Sequence, residues 1–311
     1  MTLPAHADPI ESIWRRIYLA ICTLVFAFLI LPVIIIIPLS FNAEPYFSFT
    51  QKMLSLDPDG YSLRWYRLLA HFGMAQPDAP LGMAWLADMW SNSTWFNAAR
   101  NSILIGLCST VLATVLGTLA AMGLVRPEMP FRRTITAILL APLIVPIVIV
   151  ATGLFFFYSS PCGVIGLDCG RLTSTFTGLV LAHTALGVPF VVITVKATLS
   201  GYDDNLTRAA ASLGASPVRA FFKVTMPLIL PGIISGALFA FTTSFDEVVA
   251  VLFVGGPQQV TIPRQMWGGL REQVSPAILA AATILVLFSV ALLTTAELLR
   301  RRSERLRGIR R

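Results

Sequence analysis

Charged side chains are scarce in this sequence. Only 13% of its 311 residues are Asp, Glu, Lys or Arg, against 56% hydrophobic, and so little charge cannot clothe a water-facing surface of that size. Histidine is rarer still, and His6, His71 and His183 are too scattered to form a metal cluster. No stretch fits G-x-x-x-x-G-K-[ST], H-E-x-x-H or G-x-S-x-G, so neither a phosphate loop, a zinc protease helix nor a nucleophile elbow is present. Nor is there a convincing internal repeat of the kind that builds ion-coupled transporters.

What the chain has instead is long apolar runs. A helix needs about 20 such residues to cross a hydrocarbon core, and six candidates occur, at about Ile17–Phe41, Ser102–Val125, Thr134–Tyr158, Phe176–Thr198, Met226–Val254 and Pro276–Leu299. The expected fold class is an all-α membrane protein with six transmembrane helices. The first run follows Arg15 and Arg16, as a signal peptide does. It is too long for one and lacks a small-x-small cleavage site, so it reads as an uncleaved anchor.

Lys and Arg set the orientation, because cytosolic loops retain positive charge. Of the 23 basic residues the larger share falls with the two termini, including Arg15, Arg16, Arg126, Arg132, Arg133, Lys196, Arg208, Arg219, Lys223 and the tail from Arg300. Both termini are therefore expected in the cytosol. The expected organisation is a cytosolic segment 1–16, a membrane domain 17–299 with an external loop at about 42–101 and a cytosolic loop at about 199–225, and a basic tail 300–311. The net charge of +7 follows from that topology and from anionic headgroups, and needs no nucleic-acid partner.

Cys22 and Cys108 fall inside spans and read as small apolar residues. Cys162 and Cys169 flank a Gly-containing loop on the expected external side, where a disulfide can persist; they are bridged or are two lone thiols, and neither arrangement makes a metal site. Trp85, Trp90 and Trp95 cluster in the long external loop, either as an interfacial amphipathic helix or as a docking surface. His183, inside the fourth run, is expected to face the bundle interior and bond a neighbouring helix. Pro142 and Pro146 in the third run, Pro189 in the fourth and Pro231 in the fifth are kinks or hinges.

Two acids, Asp246 and Glu247 beside Phe245, lie in or near the end of the fifth run. At a helix centre each costs about 2.5 kcal/mol or more to insert, so they face an aqueous path that favours cations, or else cap a helix or pair with Arg264 or Arg271 near the outer interface.

The stretch from Asp204 to Pro227 reads as a short Ala-rich helix, a turn at Gly214 and a second amphipathic helix from about Pro217. Its spacing, Ala209-Ala210, three residues, Gly214, nine residues, then Val224-Thr-Met226-Pro227, resembles the cytoplasmic coupling loop of binding-protein-dependent ABC permeases. The resemblance extends to Asn101-Ser102, Gly117-x-x-Ala-Ala121 and Leu124-Val-Arg126, and covers nearly the whole chain. One position departs from it: the family's Glu falls at Arg208.

The resemblance implies a type I ABC importer permease fold in a bacterial inner membrane, with Arg208, Ala209, Ala210, Gly214, Ala215, Ser216 and Pro227 coupling the membrane helices to a separate ATPase. It implies these partners: an ABC ATPase homodimer on the cytosolic side, a second permease subunit and a periplasmic substrate-binding protein. ATP and Mg would be bound by the ATPase, leaving no cofactor and no catalysis in this chain. Ser40-Phe-Asn42, Ser244-Phe-Asp246, Phe253-Val-x-Gly-Pro257, Pro263, Val274-Ser-Pro276 and Ala281-Ala-Thr283 resemble the spermidine and putrescine subfamily, whose cationic substrates suit Asp246, Glu247 and Phe245 on the path. Relatives with similar landmarks import amino-acid-like, opine-like or phosphonate compounds. An ion-coupled secondary transporter is the alternative from another class.

Overall fold

The computed structural model describes residues 9–160, 170–272 and 276–306; the Cys162 and Cys169 question lies outside them. The described residues form helices joined by turns and loops, with one isolated bridge between Asn42 and Tyr61. In chain order the α-helices are α1 (Pro9–Leu39), α2 (Gln51–Leu54), α3 (Arg64–His71), α4 (Met83–Asn92), α5 (Thr94–Val125), α6 (Arg132–Ile144), α7 (Ile147–Ser159), α8 (Phe176–Leu199), α9 (Asp204–Ser212), α10 (Pro217–Ala220), α11 (Met226–Asp246), α12 (Val249–Val254), α13 (Ile262–Glu272) and α14 (Ala277–Leu306).

Two compact units divide the chain. One comprises residues 1–71 and 269–311, the other residues 72–268. In the first, α14 packs against α1 and α3. The turn leaving α1 is fixed by fully buried Ser40 and Asn42. Ser40 Oγ shares a 2.7 Å hydrogen bond with Tyr66 Oη, the Asn42 amide donates to the carbonyls of Tyr46 and Ser48, and Trp65 Nε1 donates to the Asn42 carbonyl at 2.8 Å. The Ser40-Phe-Asn42 landmark is thus a polar knot that ends a membrane helix by satisfying backbone groups locally.

In the second unit α5, α8 and α11 pack together as three long helices. Ala113, Ala121, Val191, Val195, Ile229, Ile233 and Ala240 fill their common core. Small residues permit the approach: a Cβ added at Gly117 would lie 2.7 Å from Val191 Cβ, closer than two carbons can sit. Between membrane helices, association depends on such close packing because lipid is as apolar as leucine.

Among the described residues four helices are long and apolar enough to cross a membrane: Ile13–Leu39, Thr94–Val125, Phe176–Leu199 and the continuous run Pro217–Asp246. The expected span at 134–158 is two helices, α6 and α7, bent by 108°. Counted as one, it makes five among the described residues, where six were expected. Pro146 produces the bend, having no N–H to continue α6 and disfavouring helical backbone at Val145, which is extended. The expected run to Val254 is also two pieces, because α11 stops at Asp246 and α12 starts afresh at Val249. α14 continues through Leu306, into the stretch expected to be a separate tail.

Candidate functional site

The expected coupling segment forms a protruding knob. Asp203 caps α9 by accepting from Asn205 N at 3.0 Å, and Ser216 caps α10 by accepting from Arg219 N. Between them Gly214 takes φ +79°, open to glycine without cost, while its N–H and that of Ala215 close the helix end on the Ala211 and Ala210 carbonyls. The second half is not a separate amphipathic helix as expected. α10 has four residues and passes through a wide π-type turn, Phe221–Thr225, directly into α11, with Pro227 in the first turn. Pro217 opens this run at a first-turn position, where no helical N–H is needed, and Pro227 closely follows the π turn.

No residue of α9 is buried, and Leu213 is 89% exposed. Arg208, Ala209 and Ser216 are exposed, Ala210 and Ala215 half-buried, and nothing lies within 4 Å of a Cβ built on Gly214. The knob is tied back by Tyr202, whose hydroxyl bonds both Thr207 on α9 and Thr225 in the π turn. A cavity of about 500 Å³ lies behind it, lined among others by Arg126, Glu128, Asp204 and Arg208.

The three residues expected on the substrate path separate. Phe245 is buried and stacked on Phe241 at 5.6 Å. Asp246 is exposed at the last position of α11. Glu247 is half-buried, and its Oε1 accepts from Val249 N at 2.7 Å and Ala250 N at 3.0 Å. It therefore caps α12, where a carboxylate meets the positive end of the helix. At the other end Arg264 on α13 donates to the carbonyls of Gly255 at 3.1 Å and Gly256 at 2.8 Å, the matching device for a negative end. Of the alternatives open in the sequence, capping is observed. The Arg264 pairing is not, since the two charges meet through α12.

Glu247 also lines a cavity of about 370 Å³ at the α6–α7 bend, with Pro142–Ile147, Leu186, Phe190 and Thr243. A larger cavity of about 720 Å³ lies at the start of α6 and carries Arg132, Arg133 and Lys196 but no acid. Pro142 and Pro146 were visible in sequence as breaks, but not as a cavity wall. Their i, i+4 spacing is the signal that was available, because Pro146 cannot supply the N–H that the Pro142 carbonyl would accept.

Deeper between the same helices, His183 Nδ1 shares a 2.7 Å hydrogen bond with Ser244 Oγ, which lies 3.0 Å from Ser109 Oγ. All three are buried, one on each of α5, α8 and α11, and the expectation that His183 bonds a neighbouring helix is met. Toward the opposite end of α5, the Asn101 amide donates to the Gln258 and Val260 carbonyls, and Ser102 Oγ accepts from Ile262 N at 2.9 Å. The Asn101-Ser102 pair thus pins the loop that leads into α13, on which Arg264 stands. Trp85 and Trp90 lie on α4, whose Asp88 accepts from Ala75 N, Gln76 N and the Asn92 amide. The Asn92 amide above all holds that carboxyl below its usual range.

Long apolar helices, one of them continuous with an exposed hairpin, are the frame of a membrane protein. The chain belongs to the family of binding-protein-dependent transport system inner membrane components, whose model matches residues 113–305. It is 30% identical to the spermidine/putrescine transport system permease protein PotC of Haemophilus influenzae, over 90% of this chain and 94% of that protein. It is 31% identical to the putrescine transport system permease protein PotI of Escherichia coli K12, over 89% and 87%. Among solved structures, a bacterial ABC transporter that imports the acidic polysaccharide alginate matches 94% of this chain and 99% of its own with a TM-score of 0.58 at 16% identity. That likeness bears on fold alone and shows the type I ABC importer permease architecture. The chain is accordingly a multi-pass inner-membrane permease of an ABC importer, a family of membrane components and not of enzymes.

Proposed function

We propose that this permease forms, with a second permease subunit, the path for a small cationic amine such as spermidine or putrescine, driven by an ATPase homodimer on the cytosolic side and supplied by a periplasmic binding protein. The observation that carries the driven part is the knob: α9 buries nothing, presents Leu213 and Arg208 outward, and runs through α10 into α11. An exposed apolar tip on a rigid lever suits a groove on a separate protein. Arg208, Ala209, Ala210, Gly214, Ala215, Ser216 and Pro227 are the coupling residues, and ATP and Mg belong to the ATPase. The similarity to PotC and PotI over nine-tenths of the chain supports the amine, as does Glu247 beside the α6–α7 bend.

The proposed topology has six crossings, with α6–α7 as one bent crossing and α14 as the last, and both termini in the cytosol with the basic segments. The test is ATPase activity of the complex reconstituted with its co-encoded subunits. Stimulation by a binding protein loaded with spermidine or putrescine is the expected result. A complex that hydrolyses ATP but ignores polyamines would keep the importer and remove the substrate, and a chain that recruits no ATPase would remove the importer.

A further inference from the structure

We propose that the cavity of about 720 Å³ at the start of α6 is a binding site for the headgroup of an anionic phospholipid, drawn from the leaflet on the knob side of the membrane. The inference goes beyond the amine reading and does not depend on it, since it needs only that the chain spans a membrane.

The observation that carries it is unbalanced charge. Arg132 and Arg133 on α6 and Lys196 on α8 share the cavity, and no Asp or Glu lines it. Among the described residues no ion pair engages any of the three. Like charges gathered between two helices repel, and a counter-charge from outside the chain relieves that repulsion. Because α8 leads directly to α9, the cavity lies at the knob end of α8.

The start of α6 adds to the imbalance. A helix begins at the positive end of its dipole and favours acids there, yet α6 opens on two arginines, with no acid in its first turn and no side chain capping its N–H groups. Lys196, by contrast, stands in the last turn of α8, where a cation belongs. The guanidinium groups, the ammonium, the uncapped N–H groups and the Thr134 hydroxyl are all donors, and a phosphate offers oxygens to each of them.

A third feature selects a lipid over a soluble anion. Phe131 lines the cavity and holds a left-handed backbone, φ +52°, while Ile138 follows seven residues on and so on the same side of α6. Both are more than half exposed. An apolar strip therefore leads out of the basic cavity along an apolar helix. A phospholipid matches both parts, with its phosphate among the cations and an acyl chain on the strip, whereas a free phosphate would leave the strip bare. Basic pockets between membrane helices bind headgroups in this way.

The test uses the complete transporter in detergent, titrated with phosphatidylglycerol or with phosphatidylcholine, and retained lipid is counted by native mass spectrometry. The triple variant Arg132→Gln, Arg133→Gln, Lys196→Gln is expected to bind phosphatidylglycerol about a hundredfold more weakly, and Lys196→Gln alone about fivefold. Phosphatidylcholine, with no net charge, is expected to bind weakly to parent and variants alike. Lys223→Gln, which removes an exposed cation of the π turn outside the cavity, should bind phosphatidylglycerol as the parent does. An unchanged affinity in the triple variant overturns the site. So does an equal loss in Lys223→Gln, because binding would then follow total charge and not the cavity. Should the triple variant fail to assemble, Lys196→Gln decides, and no loss there overturns the proposal.

Two further outcomes name other occupants. Displacement of phosphatidylglycerol from the parent by millimolar inorganic phosphate would make this a free-anion site and overturn the lipid. A triple variant that sheds the second permease or the ATPase at unchanged lipid affinity would make the cations a protein contact, with the same consequence. Polyamine uptake enters none of these measurements, so the lipid site and the amine reading fail separately.

Discussion

Helices α1 and α8 are both long and apolar, yet 67% of the apolar window of α8 is buried and none of that of α1. Both pass as membrane spans by length and hydropathy; their side chains set them apart. α8 carries Gly178, Ala182, His183, Thr184 and Gly187 on its buried face, residues small enough to let backbones approach or polar enough to bond a neighbour. α1 carries Phe26, Phe28, Leu29 and Leu31, all more than half exposed. A helix among helices needs small and hydrogen-bonding residues, whereas a helix facing lipid needs only to be oily.

That contrast can be broken most severely at Gly117. Gly117→Val forces a side chain into Val191, and overpacking of this kind costs about 1–3 kcal/mol. Thermal denaturation of the purified complex should show a marked fall; a variant as stable as the parent would mean that the α5–α8 contact is looser than its geometry. His183→Ala removes one of the two partners of Ser244 at the α5–α8–α11 crossing and should cost about 1–2 kcal/mol by leaving Ser244 underpartnered, with partial rescue by Gln, also read by thermal denaturation. Equal loss in both variants would assign the effect to ring packing instead of the hydrogen bond.

Gly214→Val tests a different exposed surface. Its φ of +79° costs a side chain roughly 1–2 kcal/mol locally, yet nothing crowds it. Membrane insertion and assembly should survive while transport per ATP hydrolysed falls steeply; normal transport would count against coupling through the knob. The smallest effect belongs to α1. Leu24→Ala, at a position 70% exposed, should alter stability by no more than about 0.5 kcal/mol. A larger loss would show that this face of α1 is covered in the assembled transporter.

Much of this architecture was legible in the sequence, for local reasons. The first, second and fourth apolar runs coincide with α1, α5 and α8 because length and hydropathy are properties of a segment alone. The knob was legible from Ala209-Ala210, Gly214 and Pro217, because caps and turns are decided within a few residues. The third and fifth runs misled. Their hydropathy continues across Pro146 and Glu247, while the backbone does not: one residue lacks a donor, and the other turns its carboxylate onto the next helix. The expected second knob helix merged with α11 because no helix-ending residue separates Phe221 from Met226.

The sequence by itself determined that this chain lives in a membrane, which segments cross it most plainly, where the knob turns and which family it joins, since hydropathy, caps and spacing travel with the chain. Only the tertiary structure decided which faces of those segments are covered, that Ser109, His183 and Ser244 meet, that Glu247 rather than Asp246 faces the α6–α7 bend and that Arg264 closes the far end of α12. Each of these is a relation between side chains on different helices, many of them distant in the chain. Such relations are fixed by close packing and by the need to satisfy buried polar groups, and neither is written in any single stretch of sequence.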